Sequence, residues 1–166
     1  MILRKLELGD LHIRVDWMNN PKIYKSMHFD IPVWYDNTIR WFENNQQNEN
    51  RADVVFIEDG QLLAMGGLTN INKGVGKAEL YIFVNPHLQR GGIGTQATKL
   101  LCKYGFETLE LNKIYLETNE DNFAAQRVYE KCGFQLEGIL RQEYKTIDGI
   151  LKNRLYYGLI KGELNE

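Results

Sequence analysis

The sequence predicts a single α/β domain, spanning residues 1–166, in which helices flank one mixed sheet. Alternating apolar residues up to Val84 stop at Asn85-Pro86, and a helical pattern follows from Gly92, which indicates a strand-to-helix crossover. Asp59-Gly60, between two strand-like runs, predicts a β-hairpin, because these residues tolerate the positive φ angles of a tight turn. At 166 residues the chain is long enough for one well-packed domain and too short for two ordinary ones.

The elements of the N-terminal part follow from periodicity and from the turn residues at their ends. Residues 2–7 alternate apolar and charged side chains, as an outer strand does. A helix is expected over residues 11–18 with Asp10 as its N-cap, and Asp36 is the expected N-cap of a second helix that ends near Gln46. The aromatic segment 24–35 follows neither period, so no element is predicted there.

The rest of the chain continues the sheet and adds two helices. Strands are expected at 54–58 and 61–69 beside the hairpin turn, then at 77–84, 114–118, 134–144 and 154–159. Helices are expected at 92–108 and 122–131, with Gly133 ending the second one. Because a strand, a crossover helix and a second strand connect with right-handed topology, strand 114–118 should lie parallel to strand 80–84.

Composition excludes several classes of protein. The net charge of −2 has no block of one sign, so we expect no nucleic-acid partner and no binding to an anionic membrane. The first residues lack the apolar run of a signal peptide, and no later run approaches a membrane span, so a cytoplasmic location is expected. Cys102 and Cys132 both lie in helical patterns, which predicts two reduced, buried thiols and neither a disulfide framework nor a metal site.

The loop after the central strand has the chemistry of an anion site. Its residues are Gln89-Arg90-Gly91-Gly92-Ile93-Gly94. A helix start leaves N–H groups without intrahelical partners at the positive end of the helix dipole, and glycines let an anion approach them closely. Arg90 adds a fixed positive charge. The pattern matches neither a P-loop nor a dinucleotide fingerprint, and a glycine-rich helix start is also a common plain connection.

This loop resembles the acetyl-CoA pyrophosphate loop of the GNAT family of N-acetyltransferases, whose signature is Gln/Arg-x-x-Gly-x-Gly/Ala. A second motif of that family, Asn-x-x-Ala-x-x-x-Tyr-x-x-x-Gly-Phe, is matched by Asn122, Ala125, Tyr129, Gly133 and Phe134. Gly91-Gly92 replaces the more usual Gly-Lys or Gly-Arg. The resemblance follows the element order over nearly the whole chain, and its residue-level support lies between Glu79 and Phe134.

The resemblance implies the GNAT fold and acetyl-CoA as cosubstrate. In that fold two central parallel strands of a mixed, mostly antiparallel sheet splay apart, and the pantetheine arm lies between them like an added strand. This requires a bulge or local unpairing near residues 81–83 that frees the N–H groups of Ile82 and Val84. Asn122 suits either a hydrogen bond to pantetheine or a simple helix cap. The implied cofactor-binding residues are Ile82, Phe83, Val84, Gln89, Arg90, Gly91, Gly92, Ile93, Gly94, Thr95 and Asn122.

The implied reaction is direct attack of a primary amine on the thioester in a ternary complex. An amine with a pKa of about 10 is mostly protonated at neutral pH, so its proton must be removed. Glu79 is the candidate base, directly or through water, because alternation places it on the same face of the strand as Tyr81 and Phe83. The alternative is that Glu79 is a solvated glutamate at the end of the strand. The family motif implies that Tyr129 is the general acid for the CoA thiolate, with a buried core tyrosine as the alternative.

The acceptor is the least determined part of the prediction. The Trp17–Pro21 and Met27–Phe29 runs resemble nucleotide-sugar amine acetyltransferases, whereas the tail over 137–153 resembles ribosomal-protein and spermidine acetyltransferases. Because the substrate half shows no strong acidic cluster, the sequence favours a small amine, such as one on a sugar nucleotide, over a polycation. Two alternatives are a CoA-binding sensor without catalysis and a protein for another phosphate-bearing cofactor. The resemblance also allows a homodimer through the C-terminal strands.

Overall fold

Seven strands form one mixed sheet in the computed structural model, which describes residues 1–88 and 90–166. The strands are β1 (Ile2–Lys5), β2 (Ala52–Glu58), β3 (Gln61–Asn72), β4 (Lys77–Val84), β5 (Lys113–Asn119), β6 (Gln135–Lys145) and β7 (Leu151–Ile160). They lie in the order β1-β2-β3-β4-β5-β7-β6, and every neighbouring pair is antiparallel except the parallel pair β4–β5. The predicted mixed sheet with two central parallel strands is confirmed.

Helices cover both faces of this sheet. A 3-10 turn at Leu8–Asp10 leads into the first of them, and the helices are α1 (Leu11–Met18), α2 (Pro21–Tyr24), α3 (Tyr35–Asn45), α4 (Ile93–Glu107) and α5 (Phe123–Cys132). Apolar side chains of α4 and α5 pack with one face of the sheet, and those of α1, α2 and α3 pack with the other. The second face is called the α1–α3 face below.

Of the two predicted N-caps, the position of Asp10 is confirmed and Asp36 is wrong, and both helices lie where periodicity placed them. Asp10 is the N-cap residue of α1, but its side chain makes no capping hydrogen bond, because the carboxylate accepts from the Glu7 N–H at 2.9 Å and from the Arg4 guanidinium at 2.7 and 2.9 Å. The N-cap of α3 is Trp34, so Asp36 lies inside the first turn. An aspartate near a helix start has several possible donors, and tertiary contacts decide between them.

The other turn predictions are confirmed. Asp59 and Gly60 both have positive φ angles, 50° and 76°, in the β2–β3 hairpin. Gly133 ends α5 with a φ of 101°, in the left-handed region that glycine enters without strain. Part of the unassigned segment 24–35 belongs with α2, which begins at Pro21 behind an Asn20 side-chain cap.

Candidate active site

The parallel strands β4 and β5 separate after a short contact. Their pairing covers Lys77, Ala78 and Glu79 on β4, and within the described residues it extends no further. Beyond that point β4 remains paired with β3 as far as Val84, while β5 remains paired with β7 as far as Asn119. The two strands therefore enclose a gap that is closed at Glu79 and widens toward their carboxyl ends.

The backbone of β4 offers hydrogen-bonding groups to this gap. The Asn85 N–H donates to the Leu63 carbonyl of β3 at 2.9 Å. Because every second N–H of a strand points to the same neighbour, the N–H groups of Ile82 and Val84 point away from β3, toward the gap. Of the two alternatives expected here, a bulge or local unpairing, the structure has the second: the β3–β4 register is constant from Leu80 to Val84, and β4 is unpaired from β5 beyond Glu79.

A cavity of 310 Å³ lies beside this edge of β4. Its walls come from β4, from the loop that follows it, and from α2 with the residues after it: Lys22, Ile23, Ser26, Met27, Ile82, Phe83, Val84, Asn85, Pro86 and Leu88. A larger cavity of 390 Å³ lies between the ends of α3 and α4, and no predicted site residue that the structure describes lines it. Position beside the gap, not size, identifies the relevant cavity.

The start of α4 lies at the wide end of the gap. Gly92 is its N-cap with a φ of 84°, and the Gln96 N–H closes the first turn on the Gly92 carbonyl at 3.0 Å. The N–H groups of Ile93, Gly94 and Thr95 precede that bond, so they have no intrahelical partner. A Cβ at Gly92 would meet nothing within 4 Å, whereas one at Gly94 would lie 3.6 Å from a Val128 methyl of α5. The helix start, β4 and α5 thus converge here.

Arg90, one of the predicted anion-binding residues, has an acidic partner within the chain. Gln89 lies outside the described residues. The Arg90 guanidinium forms an ion pair with Glu58 at the end of β2, and that carboxylate also accepts from the Met1 ammonium at 3.2 Å. The hydrogen bond from Arg90 lowers the pKa of Glu58. Because Glu58 holds part of the Arg90 charge, the backbone N–H groups are the more direct anion donors of this loop.

Asn122 caps α5 through its side chain. Its Oδ1 accepts a hydrogen bond from the Ala125 N–H at 3.2 Å. The N–H of Asn122 itself donates to the Asn119 carbonyl at 3.0 Å, which ties the start of α5 to the end of β5. The cap uses the amide oxygen and leaves the two N–H donors of the Asn122 side chain for other partners.

Tyr129 is a buried residue of α5 whose ring is fixed by aromatic packing. Its centroid lies 5.8 Å from that of Phe134 and 6.3 Å from that of Tyr157. Burial raises the pKa of Tyr129 to about 12, and the neighbouring Cys132 and Cys102 add to the rise. Among the hydrogen bonds of the described residues, none involves the Tyr129 hydroxyl. The hydroxyl therefore remains protonated at neutral pH.

Glu79 lies at the closed end of the gap, on the α1–α3 face. Phe83 packs in the apolar core on that face, Tyr81 packs against it, and strand alternation places Glu79 with them. The Asn70 side chain donates to the Glu79 carboxylate at 2.7 Å. The neighbouring rings of Tyr115 and Tyr156 stack with centroids 5.2 Å apart; burial raises the pKa of both, and the Glu79 charge raises them further.

Sequence reasoning missed Tyr115 as a site residue and gave Asn119 no role. Both occupy odd positions of β5, which point to the α1–α3 face, as Glu79 does on β4. Alternation alone would have placed the two on one face of β5, but only the β4–β5 register brings that face beside Glu79.

Within the described ranges, no helix combines the length and apolar character needed to span a membrane.

The chain is similar to known acetyltransferases. Residues 1–135 match the acetyltransferase (GNAT) domain family. The spermidine N(1)-acetyltransferase of Escherichia coli (strain K12) is 29% identical over 92% of this chain and 82% of its own length. The spermidine N(1)-acetyltransferase of Vibrio cholerae is 32% identical over 87% and 84%, and acetyltransferase PseH of Campylobacter jejuni is 23% identical over 80% and 81%.

A solved structure matches nearly the whole fold. The crystal structure of spermidine N-acetyltransferase from Vibrio cholerae in complex with CoA and spermine superposes with a TM-score of 0.91 and 27% identity, over 98% of this chain and 96% of that one. The splayed pair of strands described above therefore lies in a fold for which CoA binding has been observed.

Proposed function

The chain belongs to the acetyltransferase (GNAT) family and is an acetyl-CoA-dependent N-acetyltransferase, and we propose that its acceptor is a polyamine. In this proposal the amine attacks the thioester directly, in the gap between β4 and β5. The observation that carries the proposal is the position of Glu79. Its carboxylate lies at the closed end of the gap beside the tyrosine pair. A carboxylate attracts an alkylammonium group. The Lys77 and Lys113 ammonium groups already lie over the Tyr115 and Tyr156 rings, at 5.4 and 5.8 Å from their centroids, so the Glu79 carboxylate is the group that carries the proposal.

In this proposal acetyl-CoA binds along the free edge of β4. The pantetheine amides pair with the backbone of Ile82 and Val84, as an added strand would, and fill the adjacent cavity past Phe83. The pyrophosphate lies on the N–H groups of residues 91–95 at the positive end of α4, with Arg90 beside it. Gln89 is included in the proposal on the family motif alone. An Asn122 side-chain N–H donates to pantetheine while its oxygen keeps the helix cap.

The amine enters from the α1–α3 face. Its nitrogen attacks the thioester carbonyl carbon, the C–S bond breaks, and the proton of the amine passes to Glu79, directly or through water. The acetyl group ends on nitrogen and CoA leaves as a thiolate that is then protonated. No bond to the enzyme forms, which is consistent with the burial of both Cys102 and Cys132.

Tyr129 assists the departing sulfur by hydrogen bonding. A thiol has a pKa of about 8.5, so complete proton transfer from a tyrosine with a pKa of about 12 is uphill by roughly 5 kcal/mol. Donation of a hydrogen bond from the Tyr129 hydroxyl to the developing thiolate avoids this cost and still stabilises the transition state. We therefore assign Tyr129 as a hydrogen-bond donor, and the thiolate takes its final proton from water.

The relatives support a polyamine more than the sequence did. Two of them are spermidine acetyltransferases that cover most of this chain. A nucleotide-linked amino sugar is the second candidate, because the similarity to acetyltransferase PseH is accompanied by the Trp34 side chain, 63% exposed, which offers a face for a nucleobase.

A thiol-release assay with acetyl-CoA separates the candidates. Spermidine, spermine, a UDP-amino sugar and an amino-terminal peptide would each be tested at several concentrations. We expect saturable turnover with the polyamines and little with the others. Turnover with the sugar nucleotide alone would replace the acceptor. Tight CoA binding without turnover on any amine would support a catalytically inactive sensor, and preference for NAD or ATP over CoA would refute the cofactor assignment.

Two further properties are part of the proposal. We expect the enzyme to act in the cytoplasm, where acetyl-CoA and polyamines occur together. We also expect a homodimer formed through the C-terminal strands, because Leu136 and Ile139 of β6 and Leu151 of β7 are exposed apolar side chains. Size-exclusion chromatography with light scattering would test the assembly, and a monomer at every concentration would contradict it.

A further inference from the structure

The segment between α2 and α3 spans the gap on the α1–α3 face. On the β4 side, Met27 and Phe29 pack against the apolar core that contains Phe83. On the β5 side, the His28 Nε2 lies 2.8 Å from Oδ1 of Asn119, the last residue of β5. One short stretch of chain is thereby attached to both of the strands that splay apart.

The contact of His28 fixes the state of both partners. An amide oxygen can only accept, so Nε2 carries the proton and donates it to Asn119 Oδ1. The His28 ring also packs edge-on against Tyr144 of β6, with centroids 4.6 Å apart. Asn119 is 3% exposed, and its carbonyl accepts the Asn122 N–H at 3.0 Å, so the contact reaches the residue that begins α5.

The same segment forms part of the cofactor cavity. Ser26 and Met27, directly before His28, line the 310 Å³ cavity beside Ile82 and Val84. At its other end the segment is held by the Asn19 side chain, which binds both the N–H and the carbonyl of Val33 at 2.7 and 2.9 Å. Between these anchors, the hydrogen bond of His28 keeps the cavity wall over the gap.

We propose that His28 is a positioning residue for acetyl-CoA: its Nε2–H bond to Asn119 fixes the Ser26–Met27 wall against the β4 edge on which the pantetheine arm lies. This inference rests on the proposed cofactor site and adds a residue outside both family motifs. A wall that is already ordered costs less conformational entropy when the ligand binds. His28 acts through its ε nitrogen and needs no role as a base.

The test compares three substitutions of His28 with a matched control. Glutamine places an amide N–H near the position of Nε2, whereas asparagine is too short and alanine has no donor. The control is His12→Ala, on an exposed position of α1. Calorimetry should show a dissociation constant for CoA that is about fivefold higher in His28→Ala and His28→Asn, the change expected from the loss of one hydrogen bond. Binding by His28→Gln and His12→Ala should be close to that of the wild type.

Hydrogen exchange of residues 25–30 provides a readout that needs no ligand. Faster exchange in His28→Ala, with protection restored in His28→Gln, supports the part of the proposal in which the hydrogen bond orders the wall, and the calorimetry tests the part that concerns CoA. Unchanged exchange in His28→Ala overturns it. Failure of His28→Gln to restore both CoA binding and protection overturns the hydrogen-bond role, and loss of CoA binding in the wild type instead refutes the proposed function.

Discussion

Replacement of Tyr129 by phenylalanine isolates one oxygen atom. The ring keeps its packing on Phe134 and Tyr157, and the hydroxyl makes none of the hydrogen bonds within the described residues, so folding stability should change by less than about 0.5 kcal/mol. The hydroxyl is assigned to the departing thiolate, a contact that strengthens only in the transition state. We therefore expect kcat to fall about 100-fold, which corresponds to about 2.7 kcal/mol, while the dissociation constant of CoA is unchanged.

The assay for Tyr129→Phe is thiol release at saturating acetyl-CoA with spermidine, alongside calorimetry with CoA and thermal unfolding. Tyr157→Phe is the matched control, because it removes a neighbouring hydroxyl that donates to Glu130 at 3.2 Å and faces no reacting atom in the proposal. A kcat within twofold of the wild type would refute the role of Tyr129. An equal fall in both variants would indicate a packing effect on the site and no specific contact with sulfur.

Three other predictions follow from the same geometry. Glu79→Gln should lower kcat/KM about 10- to 100-fold at pH 7 and much less near pH 10, where the amine deprotonates unaided; a pH-independent ratio would exclude Glu79 as the base. Gly92→Ala and Gly149→Ala place alanine at similar positive φ angles, 84° and 82°, so both should lower the free energy of unfolding by the same amount. Only Gly92→Ala should raise the KM of acetyl-CoA, by tenfold or more. Burial raises the pKa of Tyr81 and Tyr129 to about 12, so the stability that each contributes is present below pH 10 and lost as the pH rises toward 12. Between pH 9 and pH 11, the free energy of unfolding measured with urea should therefore fall by about 1 kcal/mol less in Tyr129→Phe than in the wild type.

The backbone groups that we propose for cofactor binding could be located from the sequence because their residues are close along the chain. The N–H groups at Ile82 and Val84 follow from strand alternation, and those at the start of α4 follow from the helix that Gly92 begins. Neither inference needs a contact between distant residues. The N-cap at Asn122 was likewise predictable, since an asparagine before a helical pattern can use its own oxygen.

Predictions that depended on distant partners were less successful. Asp10 was expected to cap a helix, but Arg4 and the Glu7 N–H use its carboxylate instead. Arg90 was expected to add a positive charge beside an anion, and the sequence did not indicate that Glu58, at the end of β2, pairs with it. In each case the local pattern identified a charged group correctly, whereas the partner depended on how the chain folds back.

The acceptor surface shows most clearly where sequence reasoning stops. The side chains around the closed end of the gap come from β4, β5 and β7, and only the register Glu79–Tyr115–Gly158 brings these strands side by side. A shift of one residue in β5 would turn Tyr115 to the opposite face and remove it from Glu79. The sequence shows no acidic cluster because its carboxylates are scattered, whereas the β4–β5 register brings Glu79 beside Tyr115 at the closed end of the gap. Charge counted along the chain therefore says little about which acceptor this face would bind, because that depends on which side chains the sheet register brings together.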